Sequence, residues 1–155
     1  MTAIAAVTVA ILAAAGGGLG WARRRLIVVT VVGMSMSPAY RAGDRLLVRR
    51  VPVRRLRIGQ VVVVRYPDRA GRRSRRTGDA RPEWIVKRIR ALPGDPMPGD
   101  VRAASDEDDS VVPPGRLVVL GDNAESSDDS RQFGPVPSTE VIGAVLRRLS
   151  ATGRH

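Results

Sequence analysis

A serine and a lysine are the residues of this sequence whose types could perform chemistry together. Ser35 lies in the segment 33–38 (GMSMSP), and a serine is a weak nucleophile until a neighbouring base takes its proton. Lys87 is the only lysine of the chain, since every other member of its 26 lysines and arginines is an arginine. Arginine stays protonated at any usable pH, whereas a buried lysine can lose its proton. Lys87 is therefore the candidate general base for Ser35.

The composition excludes the more common ways of activating a nucleophile. The chain has no cysteine, and its one histidine is the terminal residue His155. A thiol nucleophile and a Ser-His-Asp triad with an interior histidine are therefore excluded. Two structural interpretations stay open beside catalysis. Ser35 could belong to a polar turn that closes a strand before Pro38, and Lys87 could be the single lysine left in an arginine-rich chain.

Lys87 lies in an apolar run, 84–92, which predicts a β-strand that ends in the turn 93–95 (PGD). Burial in such a strand disfavours the charged form of a lysine and lowers its pKa, as a lysine base requires. We therefore expect the alternation of the strand to point Lys87 inward, beside Ser35. The apolar side chains suited to line a dry pocket around it are Met36, Ile85, Val86 and Ile89.

Three segments resemble, in order, the successive sequence boxes of type I signal peptidases, which are membrane-anchored serine proteases of the S26 type that use a Ser-Lys dyad. The segments are 35–38 (SMSP), 86–95 (VKRIRALPGD) and 121–131 (GDNAESSDDSR). The resemblance extends from Leu26 to Gly143. One such box is a weak signal, whereas three in the same order are a strong one.

The resemblance implies a role for each member of the site, and it implies no metal and no cofactor. Ser35 is the nucleophile, Lys87 is the general base, and the hydroxyl of Ser127 orients the lysine amine. The backbone N–H of Ser35 is one donor to the oxyanion that forms on attack. Some relatives have a serine two residues before the nucleophile as a second donor, but this chain has Gly33 there. A backbone or water donor must therefore take its place.

Other residues of the boxes are expected to shape the site rather than to transfer protons. Met34 stands where many relatives have glycine immediately before the nucleophile, and together with Met36 it is expected to line the substrate cleft. A structural ion-pair group is expected to hold the lysine-orienting loop. Its members are Asp122, Asp129 and Arg131.

The first 22 residues contain no charged side chain and are rich in Ala, Val, Ile and Leu. As a helix that rises about 1.5 Å per residue, this run would be about 31 Å long, enough to cross a hydrocarbon core of about 30 Å. The positive charge of a cleavable signal peptide normally precedes its apolar region, but here the arginines 23–25 follow it. Residues 1–22 are therefore predicted to be an uncleaved transmembrane anchor.

Two arguments about the orientation of this anchor conflict. The positive-inside rule would place the basic juxtamembrane segment 23–25 in the cytoplasm. The resemblance places the catalytic domain on the extracytoplasmic face of the cell membrane, where an exported preprotein presents its signal peptide, and we follow the resemblance. The arginines 23–25 would then face anionic headgroups.

The rest of the chain predicts a mostly β fold, a signal-peptidase-like antiparallel β catalytic domain with a single lobe over residues 26–149 and a tail at 150–155. Only 40 positions separate Lys87 from Ser127, so the second lobe of larger relatives must be absent or vestigial. The strand candidates are the apolar stretches 26–32, 46–48, 61–64, 84–91 and 117–120. The arginine-rich stretch 49–57 is expected to be a solvated strand edge, 68–81 and 100–110 polar loops, and 141–149 a strand or a short helix.

We expect a single-pass membrane serine endopeptidase that removes signal peptides from exported preproteins after small residues of the Ala-x-Ala type. Its expected partners are those signal peptides and the anionic headgroups of the bilayer. One alternative is a Ser-Lys protease dedicated to one secreted or pilin-like substrate. Another, motivated by the net charge of +11, is a basic module that binds membrane or nucleic acid without catalysis. Aromatic residues make up only 3% of the chain, so base-stacking platforms are scarce and nucleic acid is not an expected partner.

Overall fold

The computed structural model describes residues 25–66, 84–102 and 110–150, which contain a seven-stranded sheet. Neighbouring strands pair antiparallel in the spatial order β1-β2-β7-β3-β4-β5-β6. The strands are β1 (Leu26–Thr30), β2 (Arg45–Arg49), β3 (Val61–Arg65), β4 (Trp84–Ala91), β5 (Arg116–Leu120), β6 (Val136–Pro137) and β7 (Val141–Ser150). The predicted mostly β, antiparallel fold is confirmed.

The sheet has an apolar cluster on each side of β3. All four valines of the run 61–64 are buried, because successive side chains of a strand point to opposite faces. Val62 and Val64 belong to one cluster, core A, and Val61 and Val63 to the other, core B. The further buried members of core A are Leu56, Ile89, Leu117, Val119, Val136 and Ala144. Those of core B are Val31, Met36, Leu46, Val48 and Val86.

A third apolar cluster, core C, packs beside β5 at the far end of β4. Its buried members are Ala91, Met97, Val101, Val112 and Val118. Val101 comes from the one-turn helix α1 (Gly99–Arg102) in the connection between β4 and β5. The second short helix, α2 (Ser130–Phe133), follows the loop that carries Ser127. Three 3₁₀ turns cover residues 53–55, 124–126 and 138–140.

The last strand shows how far sequence neighbours are separated in this sheet. The segment 141–149, predicted as a strand or a helix, is a strand and extends to residue 150, where the predicted tail begins. It lies between β2 and β3 and pairs with both. These two strands follow each other in the chain but are not neighbours in the sheet. The arginine-rich stretch 49–57 is not a strand edge beyond residue 49. It turns through a 3₁₀ helix at Val53–Arg55 because Val53 and Leu56 pack against core A.

The predicted anchor, residues 1–22, lies outside the described residues, as do Arg23 and Arg24. The predicted polar loop 68–81, residues 103–109 of the predicted polar loop 100–110, and residues 151–155 of the predicted tail also lie outside them. Residues 100–102, the start of the second predicted loop, belong to the helix α1 instead, because Val101 packs in core C. No helix within the described ranges is long and apolar enough to cross a membrane.

Candidate active site

Ser35 lies in a turn between β1 and β2. Gly33 begins this turn with a φ of +80°, a left-handed conformation that glycine adopts without strain. The N–H of Ser37 donates to the carbonyl of Met34 at 3.0 Å, which closes the turn around Ser35. Met36 is completely buried in core B and Ser35 is half-buried. The methionine thus anchors the turn while the serine beside it keeps contact with solvent.

The loop that contains this turn is closed at its base by Asp44. The N–H of Val31 donates to the carbonyl of Asp44, and the N–H of Gly43 donates to the carbonyl of Val31, both at 2.9 Å. The carboxylate of Asp44 is only 2% exposed and accepts a 2.9 Å hydrogen bond from the N–H of Arg41. Backbone and side chain therefore fix both ends of the loop.

A distant arginine, Arg148 of β7, clamps the same loop from the side. Its Nε lies 3.3 Å from the carboxylate of Asp44, and its Nη2 donates to the carbonyl of Ala39. Its guanidinium carbon lies 5.4 Å from the centre of the Tyr40 ring, within the range of a cation–π contact. One side chain thus holds three residues of the loop that positions Ser35.

Lys87 is buried in the middle of β4, with 2% of its surface exposed. The alternation of β4 places it on the same face as Ile85 and Ile89, which pack in core A. Val86 points to the opposite face and packs in core B together with Met36. Of the four apolar residues expected around the lysine, two therefore share its face and two do not.

Burial lowers the pKa of Lys87 below the ordinary value for lysine, because desolvation penalises the ammonium more than the amine. The negative charges of Asp129 and Asp128 act in the opposite direction, and the positive charge of Arg131 adds to the lowering. Desolvation is the largest of these effects. The neutral amine, the form that can accept a proton, is therefore easier to reach than in a lysine exposed to water.

A chain of hydrogen bonds runs from Lys87 through Ser127 to Asp129. The Nζ of Lys87 donates to the Oγ of Ser127 at 2.9 Å, and that hydroxyl donates to the Oδ2 of Asp129 at 2.5 Å. A hydroxyl has one proton, and an ionised carboxylate can only accept. Since the Ser127 hydroxyl donates its one hydrogen bond to Asp129, it must accept the hydrogen bond from Lys87. The lone pair of a neutral Lys87 is then not used by Ser127 and stays available to a second hydroxyl.

Asp129 is the centre of this network and is completely buried. Its Oδ2 also accepts from the N–H of Gly121 at 2.8 Å and from the Nη2 of Arg131 at 2.6 Å. It caps α2 at the same time, since its side chain accepts from the N–H of Arg131 and its own N–H donates to the side chain of Gln132. Burial alone would raise the pKa of Asp129, but hydrogen bonds from Arg131, Gly121 and Ser127 outweigh it and hold the pKa below its usual range.

Gly121 lies where the turn that contains Ser35 meets the loop that contains Ser127. A Cβ atom at this position would lie 2.2 Å from the Oγ of Ser127 and 2.6 Å from the carbonyl oxygen of Ser35. The N–H of Asn123 donates to the same Ser35 carbonyl at 3.0 Å. Only glycine leaves room for this approach, and the approach brings Ser35 and Ser127 to one place.

Ser35 and Lys87 are connected through Gly121 and Ser127 and not by a direct hydrogen bond. Among the described residues, no hydrogen bond joins the Oγ of Ser35 to the Nζ of Lys87, whose bond goes to Ser127. Ser127 in turn lies against Gly121, and Gly121 lies against the backbone of Ser35. Catalytic hydrogen bonds often tighten only when substrate is bound. The arrangement offers a hydroxyl, a desolvated amine and a group that orients the amine within one small region.

The residues expected to form one ion-pair group form two separate pairs. Asp129 pairs with Arg131 at 2.6 Å in the buried network. Asp122 pairs with Arg88 through two hydrogen bonds at 2.8 and 2.6 Å, nearer the surface. These bonds raise the pKa of the Arg88 side chain. Arg88 also donates to the carbonyl of Gly59 at 2.8 Å, so this pair joins β4 to the turns on either side of it.

The two methionines beside Ser35 lie in opposite environments. Met34 is 62% exposed, whereas Met36 is fully buried. The structure therefore corrects the expectation that Met36 lines a cleft, because the side chain fills core B and does not reach the surface. Gly33 is exposed, and a Cβ there would meet open space, so only its positive φ argues against a side chain.

Sequence reasoning missed three residues of the site. Gly121 belongs to a recognised box, but its contact with Ser35 and Ser127 requires the folded chain. Asp44 and Arg148 belong to none of the three boxes, and no signal in the sequence links them, since they lie far apart in the chain and meet only when β7 pairs with β2. Within the described ranges, no cluster of three or more His, Cys, Asp or Glu residues could hold a metal ion.

Comparison with known proteins places this geometry in a family context. The family model described as "Signal peptidase, peptidase S26" matches residues 1–98 and 96–149. The mitochondrial ATP-independent inner membrane protease subunit 1a of Arabidopsis thaliana is 34% identical over 137 residues, which cover 81% of this chain and 72% of that protein. The mitochondrial inner membrane protease subunit 1 of Xenopus tropicalis is 31% identical over 124 residues, which cover 79% and 68%. Both findings agree with the resemblance that the three boxes indicated.

Two further similarities were found. The inactive signal peptidase IA of Staphylococcus aureus is 29% identical over 138 residues, which cover 73% of this chain and 72% of that protein. A crystal structure of a signal peptidase I from Enterococcus faecalis matches with a TM-score of 0.38 and 22% identity, and the match covers 58% of this chain and 96% of that one.

Proposed function

This chain belongs to the signal peptidase family, peptidase S26, and from that premise we propose that it is an active serine endopeptidase that uses Ser35 as nucleophile and Lys87 as general base. The observation that carries the proposal is the lysine itself. Lys87 is buried, its pKa is lowered by desolvation, and Ser127 holds its amine at 2.9 Å without using its lone pair. A lysine with a surface role would need none of these features.

The proposed reaction follows from that hydrogen-bond pattern. The Oγ of Ser35 attacks the scissile carbonyl carbon while its proton passes to the neutral amine of Lys87. The ammonium then gives the proton to the leaving amine, and an acyl-enzyme remains. Water attacks this ester and gives a proton to Lys87, and the ammonium returns that proton to the Oγ of Ser35 as the ester bond breaks. The acyl group leaves as a carboxylic acid, which ionises in water, and both residues are restored. Ser127 and Asp129 keep the amine oriented through both steps and exchange no proton with the substrate.

The oxyanion of each step requires hydrogen-bond donors. The backbone N–H of Ser35 is the first donor in the proposal, because it lies in the nucleophile turn itself. Gly33 supplies no side-chain donor, so the second donor is a backbone N–H or a water molecule. Met34 stays a proposed cleft residue, since it is exposed next to Ser35.

The proposed substrate is a signal peptide with small residues of the Ala-x-Ala type before the cleaved bond. In this proposal residues 1–22 anchor the chain, residues 26–149 form the catalytic domain on the extracytoplasmic face, and residues 150–155 are a tail. A processing protease dedicated to one substrate is the second candidate. It is favoured by one observation, that two of the similar proteins are named inner membrane protease subunits rather than signal peptidases.

Cleavage of a secretory preprotein by the purified full-length chain in detergent tests the proposal. We expect cleavage after an Ala-x-Ala site, identified by mass spectrometry of the new N-terminus, and its loss in Ser35→Ala. Ser37→Ala is the matched control, because this serine is also half-buried, lies two residues away and has no proposed role. Wild-type protein that cleaves no preprotein, or Ser35→Ala that cleaves at the wild-type rate, would refute the proposal. Cleavage of one preprotein out of a broad panel would favour the second candidate.

The proposed topology is tested separately with an introduced cysteine. The chain has no cysteine of its own, so Arg57→Cys places a single thiol at an exposed position of the domain. We expect a membrane-impermeant maleimide to label it in intact cells, and we expect the chain to stay with the membranes after an alkaline carbonate wash. Labelling that requires broken cells would show that the arginines 23–25 set the opposite orientation.

A further inference from the structure

A groove lined by arginines opens at the edge of the domain where the described chain begins. Its volume is about 930 Å³, and five arginines and one glutamate are the charged residues that line it. The arginines are Arg25, Arg50, Arg54, Arg55 and Arg65. None of Ser35, Lys87 and Ser127 lines this arginine groove. The groove is a feature that the proposed chemistry does not use.

The fold gathers these arginines from distant parts of the chain. The N–H of Arg50 donates to the carbonyl of Arg25 at 2.8 Å, which sets the two side by side at the end of β2 and the start of β1. Pro52 is extended and leads into the 3₁₀ turn that carries Arg54 and Arg55 on its exposed side. The turn is held because Val53 packs against core A. Its arginines are thus presented on a fixed backbone.

Three of the five arginines, Arg50, Arg54 and Arg55, form no ion pair with a carboxylate of the described residues. The one acidic residue of the groove, Glu140, lies 3.7 Å from Arg65, and its Oε2 is buried without a hydrogen bond. Like charges held close together repel one another, so an anion that enters the groove relieves that repulsion.

Part of the lining of the groove is apolar, which restricts the kind of anion that fits. Trp84 at the start of β4 is 42% exposed, and Ile27 and Val51 lie on the same lining. Tryptophan is enriched at the level of lipid headgroups, because its ring is amphipathic. Guanidinium groups beside an apolar wall match a phosphodiester joined to a glycerol and acyl chains better than they match an inorganic ion.

The position of the groove points to the source of such a phosphodiester. Arg25 follows the proposed anchor, residues 1–22, by three residues. Even a fully extended chain covers only about 10 Å in three residues, and the headgroup layer on each side of the hydrocarbon core is about 5–8 Å thick. Arg25, at the edge of the groove, therefore lies within the headgroup layer or immediately outside it. This step takes only the anchor from the proposed function and does not depend on catalysis.

We infer that the arginine groove binds the headgroup of an anionic phospholipid, which places the catalytic domain in a fixed orientation on the membrane surface. The arginines 50, 54 and 55 contact the phosphodiester, and Trp84 lies against the glycerol and the first carbons of the acyl chains. Each arginine at an anionic surface contributes about five-fold to the binding constant.

Trp84 offers a direct test. The chain has two tryptophans, so Trp21→Phe leaves Trp84 as the only tryptophan, which can be excited without the two tyrosines at the red edge of protein absorption. The full-length chain, with Ser35→Ala added so that cleavage plays no part, is placed in nanodiscs of phosphatidylcholine with phosphatidylglycerol. We expect phosphatidylglycerol that carries a nitroxide near its headgroup to quench Trp84 more strongly than phosphatidylcholine with the same label. Arg54→Gln with Arg55→Gln should lower the binding constant for phosphatidylglycerol that this quenching reports about 25-fold, five-fold for each arginine.

The controls separate the groove from general attraction between a basic protein and an anionic surface. Arg57→Gln with Arg90→Gln removes the same charge from two exposed arginines that do not line the groove, and this variant should keep the preference. Arg50→Gln is a second groove variant, expected to weaken the preference about five-fold, and the melting temperature of each variant shows that it is folded. Equal quenching by both labelled lipids, or equal losses in groove and control variants, would overturn the inference.

Inorganic phosphate distinguishes a lipid headgroup from a free anion. Added to nanodiscs that contain labelled phosphatidylglycerol, it should leave the quenching of Trp84 unchanged, because it lacks the glycerol and acyl carbons that the apolar wall contacts. If phosphate at the concentration of the lipid removes the preference, the groove is a free-phosphate site and the lipid assignment is wrong. Failure of preprotein cleavage would not affect any of these measurements, so the two proposals fail separately.

Discussion

The pocket of Lys87 and the arginine groove treat positive charge in opposite ways. Lys87 is 2% exposed, has one hydrogen-bond partner on its amine among the described residues, and has its pKa lowered by burial. The groove holds five arginines, all of them exposed. One region removes a cation from water and the other concentrates cations in it.

Under the roles proposed above, this difference accounts for the single lysine in a chain that has 26 lysines and arginines. A base must be able to lose its charge, which lysine can do and a guanidinium in a protein cannot. An anion-binding groove is served by arginine, which keeps its charge and offers several donors. Four experiments test this difference between the two regions.

The largest effect is expected when the two cations are exchanged. Lys87→Arg keeps the charge but removes the base, so preprotein cleavage should fall by about 10²- to 10⁴-fold, as far as in Ser35→Ala. Arg54→Lys with Arg55→Lys should weaken the preference of the groove for phosphatidylglycerol by less than the about 25-fold expected of the glutamine variant, because an ammonium keeps the charge but lacks the planar set of donors that a guanidinium gives to a phosphodiester. Melting temperatures of both variants provide the control. Substantial cleavage by Lys87→Arg would disprove the dyad and remove the contrast between the regions.

The next effect concerns the carboxylates, which differ in burial as the cations do. Asp129→Asn removes a charge that is 0% exposed and leaves Arg131 unpaired beside the site, which should cost about 3–5 kcal/mol of the free energy of unfolding. Asp122→Asn disrupts a pair whose side chains are 19% and 38% exposed, and it should cost less than about 1 kcal/mol. Denaturation in detergent measures both. Equal losses would show that burial does not decide the strength of these pairs.

A smaller effect is expected when the lysine stays but loses its orienting group. Ser127→Ala leaves Lys87 buried with a freely rotating amine, so cleavage should fall by about 10- to 100-fold, less than after loss of the base itself. Ser126→Ala is the matched control, since this serine is exposed and adjacent. The acid limb of the rate against pH should remain in Ser127→Ala, because Lys87 still accepts the proton. Complete loss of cleavage would give Ser127 a role in proton transfer.

The smallest expected effect is a pH dependence of stability that comes from Lys87 alone. Between its lowered pKa and the ordinary lysine value of about 10.4, the unfolded chain binds more protons than the folded one, so the free energy of unfolding rises with pH. Lys87→Met fills the same space without a charge and should lack this rise. The difference between wild type and variant, followed from neutral to alkaline pH, measures it. A difference that does not change with pH would mean that burial does not disfavour the ammonium.

Several features could be predicted because they depend on residue type and local pattern. The valine run 61–64 is buried on both faces as its composition indicates, and the run 84–91 forms the strand that carries Lys87. The segment around Ser35 forms a turn that follows a strand, as a short polar stretch with Pro38 predicts. The absence of an interior histidine already left lysine as the candidate base.

Other features could not be predicted from local sequence patterns. Met36 was expected in the cleft, but its side chain is buried in core B. That core forms only when β1, β2 and β7 are assembled. Asp122 joins Arg88 rather than Arg131, because the pairing of β4 with β5 sets Arg88 opposite Leu120, next to the start of that loop. Neither outcome can be derived from the spacing of residues in the chain.

Residue types identify the groups that are available for chemistry, namely one lysine, a serine between two methionines and an excess of arginine. Alternation and β-branched runs act over a few residues, so they predict five of the seven strands, whereas β6 is not predicted and 141–149 could equally be a helix. Where these groups meet depends on the assembled sheet. The contact of Gly121 with Ser35 and Ser127, the clamp of Arg148 on the nucleophile loop and the arginine groove all join residues that are far apart in the chain. These contacts form because β7 inserts between β2 and β3 and because β4 pairs with β5 in one register. Long-range packing sets both arrangements, and no local preference of the chain specifies them.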